Sequence, residues 1–462
     1  MRELLKTIVD ARDDWVELRV HDRRQLQIMV RKGVVESATS RVHGGVGVRV
    51  LRNGTWGFSS TASRDRSAIE DAIRSAATAA ELSSSERSEK VERLADADLA
   101  VGDFVTRDAR DLDEHSVDEK TSLVVDTERT VRGSSESMRS ALVRYVEIED
   151  EKWIVSTDGA DAHIEDTKLE FLVQAVAGEG DDMTVVWDGS GVTGGWSDLF
   201  GARSPEELGD DAARLAVDLL SAPYAPGGPA QVVMDPQLVG LLAHEAIGHT
   251  VEADFVLAGS AASGRIGKRV GSELVTLVDS GPALVGAPYA GGIVAVDDEG
   301  VVAGRTVVID QGVLASYLHD RESAARFGVA PTGNARAWQY DDPPLIRMRN
   351  TYLEPGESSL EEMIASVENG FLLRRGGSGQ ADANAEFMFG VHEAYEIKKG
   401  KLGRLLRGAT ISGDAFDVLG SVDMIGSSFE WGIGTGHCGK GQPAKVDGGG
   451  PHVRCRVTIG GR

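Results

Sequence analysis

The stretch "LLAHEAIGHTVEADF", residues 241–255, holds the residues best suited to chemistry: His244, Glu245 and His249. Two imidazoles able to bind a divalent ion, beside a carboxylate able to take a proton from water, are the makings of a hydrolytic metal site. Asp235-Pro236 upstream places an acid at an N-cap and proline at the first helical position, which predicts a helix. Leu238, Leu241, Leu242 and Ile247 would form its buried side. On a regular helix, residues five apart lie about 140° from each other, against roughly 40° for the H-E-x-x-H pattern. A shared ion therefore requires a departure from regularity. Gly248 would allow a widened turn or a helix end before His249, and π-type bulges are frequent at functional sites. Glu252 and Asp254 either orient the imidazoles from behind or form a solvated helix end.

A second element, "WGIGTGHCGKGQP" at 431–443, carries Cys438. A thiolate binds zinc or iron well, and two imidazoles plus one thiolate leave a fourth position for water. His437 is a ligand, a substrate contact or neither. Gly434-x-Gly436-x-x-Gly439 matches a dinucleotide fingerprint in form only, since no βαβ unit accompanies it. These glycines instead free the backbone so that Cys438 can approach a neighbour closely. Cys455 reads as a packed, small apolar residue. In "RMRNTYL", a strand edge that could accept an extended peptide, Arg347 and Arg349 are either candidates for holding a substrate carboxylate or acidic side chain, or solvated or structurally paired strand residues.

Positioning these groups calls for an α+β fold. A short helix over 2–11 precedes alternating strands in "WVELRV", "QLQIMVRKG" and "VGVRVLRNGTWGFSS", with Asn53-Gly54 as a hairpin turn. An amphipathic helix follows from Asp65, then a polar connector over 83–112 and a capped helix from Ser116 to about residue 132. "SALVRYVEIEDEKWIVS" and "KLEFLVQAVAGEGDDMTVVWDG" continue an antiparallel sheet, and Ser204-Pro205 opens another helix. The Pro/Gly-rich "SAPYAPGGPA" marks a boundary near 225 between an N-terminal α+β domain, 1–225, and a β-rich domain, 226–462. The latter reads as an antiparallel meander or barrel that carries the motif helix and a second helix, "SSLEEMIASVENG", ended by Gly370.

The chain has 462 residues, 41% of them hydrophobic and 26% charged, enough for a large core. With 49 basic against 73 acidic residues, a net charge of −24 and no basic stripe, nucleic acid is excluded as an expected partner. Charges in "RELLKTIVDARDDW" argue against a signal peptide, and no stretch approaches 18 uninterrupted apolar residues, so a cytoplasmic protein without membrane attachment is expected. Two cysteines are not a disulfide framework.

Taken with "DDEGVVAGRTVVIDQGVLASYLHDRESAARFG", "PTGNARA" and "RMRNTYLEPGESSLEEMIASVENG", the helix motif and "GHCGKGQP" resemble the TldD/PmbA family of metalloproteases, in its TldD-like, motif-bearing form. "STDGADA" extends the resemblance weakly into the first half. It implies a two-domain α+β protein that dimerises around a cavity. The metal, zinc or alternatively iron, would lie on His244, His249 and Cys438, with Glu245 as the catalytic carboxylate. It further implies hydrolysis of small or unfolded peptides, as a homodimer or beside a related subunit that lacks the motif. The sequence departs from the family at Ala253, usually glycine, and in "DFVLAGSAASG", which lacks an Asn-Arg pair. The rival expectation is a non-catalytic peptide- or protein-binding regulator with a structural metal.

Overall fold

The computed structural model describes residues 1–282, 285 and 290–461. The first half forms a seven-stranded sheet from β1 (Trp15–Arg31), β2 (Val34–Arg52), β3 (Thr55–Thr61), β4 (Val101–Val105), β5 (Met138–Ser156), β6 (Asp161–Glu179) and β7 (Asp182–Thr193). The order is β3-β2-β1-β5-β6-β4, with β7 also on β6, and every pair is antiparallel except β4 with β6. Asn53 and Gly54 both take positive φ, 53° and 71°, as a two-residue hairpin turn between right-twisted strands requires. Two expectations are refined. "KLEFLVQAVAGEGDDMTVVWDG" is two strands, β6 and β7, that reverse at Gly180-Asp181, and the connector over 83–112 contains β4. Helix Arg66–Ser84 buries Ile69, Ile73, Ala76, Ala77 and Ala80, the stripe its spacing predicts. Helices Val117–Gly133 and Pro205–Ser221, each started by a serine–glutamate capping box, share a core with β5, β6 and β7.

The second half builds an eleven-stranded sheet. Five of its strands close into a ring. Gly228–Met234 pairs with Asn369–Ala381, which pairs with Glu386–Lys398, then Ala409–Asp414, then Asp447–Gly460, and this last strand returns to Gly228–Met234. The sheet is mainly antiparallel, but Gly228–Met234 runs parallel to Asn369–Ala381, and Asn350–Leu353 parallel to Asp447–Gly460. "SSLEEMIASVENG" is helical only over Leu360–Ala365. Gly370 does not end that helix. It lies in the following strand, where a Cβ would come 2.3 Å from the Gln231 carbonyl oxygen. Among the described residues, no helix is long and apolar enough to cross a membrane.

The strand Gly228–Met234 leads directly into the motif helix. Asp235 caps it by accepting from the Leu238 N–H at 2.9 Å, and its other oxygen accepts from the Arg375 N–H at 2.8 Å. Burial raises the Asp235 pKa to about 6. The helix start is thus tied to two neighbouring strands of the ring before any catalytic-type residue is reached.

Candidate metal centre

After one α-helical stretch, Pro236–Leu241, the backbone widens into a π-helix over Leu242–Gly248 and then tightens into a 3₁₀ turn over His249–Val251. Hydrogen bonding from i to i+5 brings residues five apart toward the same face, which removes the angular objection to His244 and His249. Gly248 contributes differently from expectation. Its φ of −53° is ordinary helix, but a Cβ there would sit 1.9 Å from the Met348 sulfur. The glycine admits a side chain from the neighbouring segment.

The cysteine arrives on a small hairpin, His437–Gly439 paired with Pro443–Lys445. Its approach depends on Gly434, whose Cβ position lies 2.1 Å from the Gly191 carbonyl oxygen, so two backbones from opposite halves of the chain touch there. Arg347 donates to the carbonyls of Cys438 and Gln442 and pins the hairpin. As a result, one ligand-type atom each from His244, His249 and Cys438 lies within 4.8 Å of the others, and the Cys438 sulfur is 3.1 Å from His249 Nε2.

Each imidazole is prepared differently. His249 Nδ1 lies 3.0 Å from Glu252 Oε2, which leaves Nε2 facing the sulfur. Glu252 is fully buried and also accepts from Lys440 Nζ at 3.2 Å, while Lys440 bonds Asp254 as well. Glu252 therefore backs an imidazole, and Asp254 backs the lysine. Burial opposes charge on His249, but its hydrogen bonds to Cys438 and Glu252 prevail and raise its pKa to about 10. His244 is buried and neither ring nitrogen has a hydrogen-bond partner. Burial first, then the positive charges of His249, Arg347 and Arg336, hold its pKa well below the usual range. An unsatisfied buried polar group costs about 1–3 kcal/mol, and a neutral imidazole beside a thiol and a second imidazole fits a soft divalent ion that would satisfy it.

Glu245 stands at the edge of this group, with Oε2 3.8 Å from His249 Nε2. Burial raises its pKa, partly offset by His249. With His244, His437, Cys438, Gly376 and Gly377 it lines a cleft of ≈ 200 Å³. His437 is not one of the three converging donors. Its Nε2 lies 3.3 Å from Glu170, which Lys445 also holds, and burial lowers its pKa to about 4. Arg347 and Arg349, expected at a substrate, are fully buried and engaged with the protein. Arg349 pairs with Asp279 at 2.8 Å and reaches the carbonyls of Thr332 and Gly333, so its work is to fix strand Asn350–Leu353. Cys455 is buried in strand Asp447–Gly460, as a packed apolar residue would be. Ala253 is buried, and its N–H donates to the Leu318 carbonyl without strain. Sequence reasoning missed Lys440 and Glu170; Lys440 lies two residues beyond the cysteine in the stretch already singled out.

Two histidines and a cysteine converging beside a carboxylate at the edge of a cleft, in an α+β chain, are the donor set that a metal-dependent hydrolase would need. Family models for the PmbA/TldA metallopeptidase match domain 1 at residues 16–80, the central domain at 110–220 and the C-terminal domain at 227–461. The chain belongs to the PmbA/TldD family of metallopeptidases. A Methanothermobacter thermautotrophicus protein named a metalloprotease is 34% identical over 98% of this chain and 97% of its own length. A Saccharolobus solfataricus protein named a zinc metalloprotease TldD homolog is 30% identical over 90% of each. Among solved structures, TldE from Thermococcus kodakarensis superposes with a TM-score of 0.77 at 17% identity, covering 99% of both chains. A Thermotoga maritima protein described as a candidate modulator of a DNA gyrase gives the same score at 21% identity and the same coverage. At these identities the two structures establish the shared fold.

Proposed function

We propose that this chain hydrolyses peptide bonds in small or unfolded peptides, with His244, His249 and Cys438 holding one zinc ion and Glu245 acting as general base. The convergence of the three donors beside Glu245, in a cleft open to substrate, carries the reading. When bound, a zinc ion supplies Lewis acidity, polarising a carbonyl and making water acidic enough to ionise near neutral pH. Glu245 then needs only to take a proton at a carboxylate oxygen, and its raised pKa makes it a better acceptor. Glu252 fixes which nitrogen of His249 faces the ligand cluster, and Lys440 keeps Glu252 in place. Glycines 376 and 377 leave the cleft wall without side chains, so an extended peptide can approach the backbone closely whatever its sequence. Following the family, the active species is a homodimer or a pair with a related subunit, which light scattering after size exclusion would resolve.

The test is to incubate the zinc-loaded protein with a mixture of unfolded peptides and read the products by mass spectrometry. Wild-type protein yields fragments, whereas Glu245→Gln keeps its zinc and its melting temperature and slows cleavage by about 10²–10⁴-fold, the usual contribution of a general base. Cleavage unchanged in the variant rules out Glu245 as the base. Absence of cleavage by both proteins favours the binding-protein alternative with a structural metal.

A further inference from the structure

A second cavity lies behind the cysteine hairpin, walled by Pro443, Ala444 and Lys445 on one side and by β5 and β6 on the other. Ala444 is the direct cross-strand partner of Cys438, and Trp338, another wall residue, sets its ring 5.6 Å from that of His437. The cavity is therefore next to the metal centre, with one hairpin between them. It holds ≈ 50 Å³, several times the ~10–15 Å³ that a single water needs.

Its charge runs against that of the molecule. In a chain of net charge −24, five basic side chains and three aspartates line this space. Four of the five are neutralised: Arg23 by Asp150 at 2.7 Å, Lys152 by Asp298 at 2.8 Å, Lys168 by Asp166 at 3.0 Å, and Lys445 by Glu170 at 2.8 Å. Arg336 is the exception. It donates to the Met348 carbonyl at 2.6 Å, and no carboxylate among the described residues lies within ion-pairing distance of it. Burial, then the neighbouring Arg347, lowers its pKa to about 10, with Asp298, Asp166 and Asp279 opposing from beyond ion-pairing distance. Arg336 is half-buried, and a guanidinium withdrawn from water with no directly bonded anion is under-compensated, while its planar fork matches a carboxylate.

We propose that this cavity is a carboxylate-binding pocket in which Arg336 receives an acidic group of the peptide, either its C-terminal carboxylate or an Asp or Glu side chain. The proposal rests on the peptidase reading and narrows its substrate class to peptides that carry such a group near the scissile bond. Arg336 is a specificity residue here, whereas Arg347 and Arg349 are structural.

Binding without turnover separates this inference from the peptidase reading. In the zinc-loaded Glu245→Gln protein, titration calorimetry would compare tetra-alanine as free acid and as C-terminal amide, and acetyl-Ala-Glu-Ala-amide with acetyl-Ala-Gln-Ala-amide. At least one carboxylate-bearing probe should bind about tenfold or more tightly than its neutral counterpart, the scale of a charge-assisted hydrogen bond. The responding pair identifies the source of the carboxylate. Adding Arg336→Gln should abolish the preference, and Arg336→Lys should restore part of it, with melting temperatures confirming that each variant folds. Equal binding of acid and neutral probes, or a preference that survives Arg336→Gln, overturns the proposal even in a chain that cleaves peptides.

Discussion

Two places among the described residues gather metal-type donors within reach of one another, and beyond that proximity they differ in donor chemistry, burial and hydrogen bonding. His244, His249 and Cys438 come from elements nearly 200 residues apart, meet in the interior, and leave both nitrogens of His244 unsatisfied. Glu151, His163 and Glu165 meet on the surface of the first sheet, where cross-strand neighbours place them together. There the histidine is already satisfied: Nδ1 lies 3.1 Å from Asp103, Nε2 lies 3.0 Å from Glu151, and the ring stacks on Trp153 at 4.7 Å. Proximity of donors is shared by both. Unmet hydrogen-bonding capacity in a dry setting belongs to the first alone, and it creates a demand for an ion.

The contrast is sharpest when the buried set is broken. Cys438→Ser or His244→Ala should reduce bound zinc from stoichiometric to trace by elemental analysis, and lower peptide cleavage by more than about 100-fold, the upper end of losses from outer partners. Glu252→Gln is the intermediate case. It keeps all three donors but weakens the acceptor that orients His249, so zinc affinity should fall by about 10–100-fold in a competition with a chelator. Retention of full affinity would mean that the imidazole is oriented by packing alone.

His249 and a histidine elsewhere in the fold, His21, give a pH contrast. His249 in the metal-free protein has its pKa raised to about 10, so the stability it contributes is full below about 6.5 and is lost as pH rises toward 10. His21 runs the other way: burial, against the pull of Asp150, lowers its pKa to about 4. Its contribution is full above about 6.5 and fades as pH falls toward 4. Urea denaturation of the zinc-free protein across pH 4–10 should therefore show both losses. His249→Gln should reduce only the alkaline loss, and His21→Gln only the acid loss and only in part, because His319, His437 and His452 are lowered to about 4 as well.

The sequence announced the parts of the centre that depend on local pattern. Asp235-Pro236 marked the helix start, and the five-residue spacing of the histidines required a non-α turn, which the π-helix supplies. The hairpin at Asn53-Gly54 and the serine caps at 116 and 204 were readable because their geometry is set within four residues. What escaped depends on contacts across the chain. Arg347 and Arg349 look like any strand arginines until Asp279 and the carbonyls of the cysteine hairpin are seen to enclose them. Likewise, nothing local distinguishes Gly248 as a seat for Met348, or Gly370 as a strand residue against Gln231. The parallel pairings in the second sheet join segments too distant for a turn to betray them.

The smallest expected effect tests the comparison from its weaker side. His163→Ala removes the histidine from the surface cluster, together with ion pairs whose partners Glu151 and Asp103 are 46% and 71% exposed. Exposed pairs of this kind contribute about 0–1 kcal/mol, because water solvates the carboxylates once the imidazole is gone. Stacking on Trp153 adds an apolar contact of similar modest size. Zinc content and peptide cleavage should stay at wild-type values, with the melting temperature shifted by no more than a few degrees. A loss of bound metal in His163→Ala would show that donors already paired on a wet surface can also hold an ion, and that burial with unmet hydrogen bonds is not what distinguishes the His244, His249 and Cys438 group.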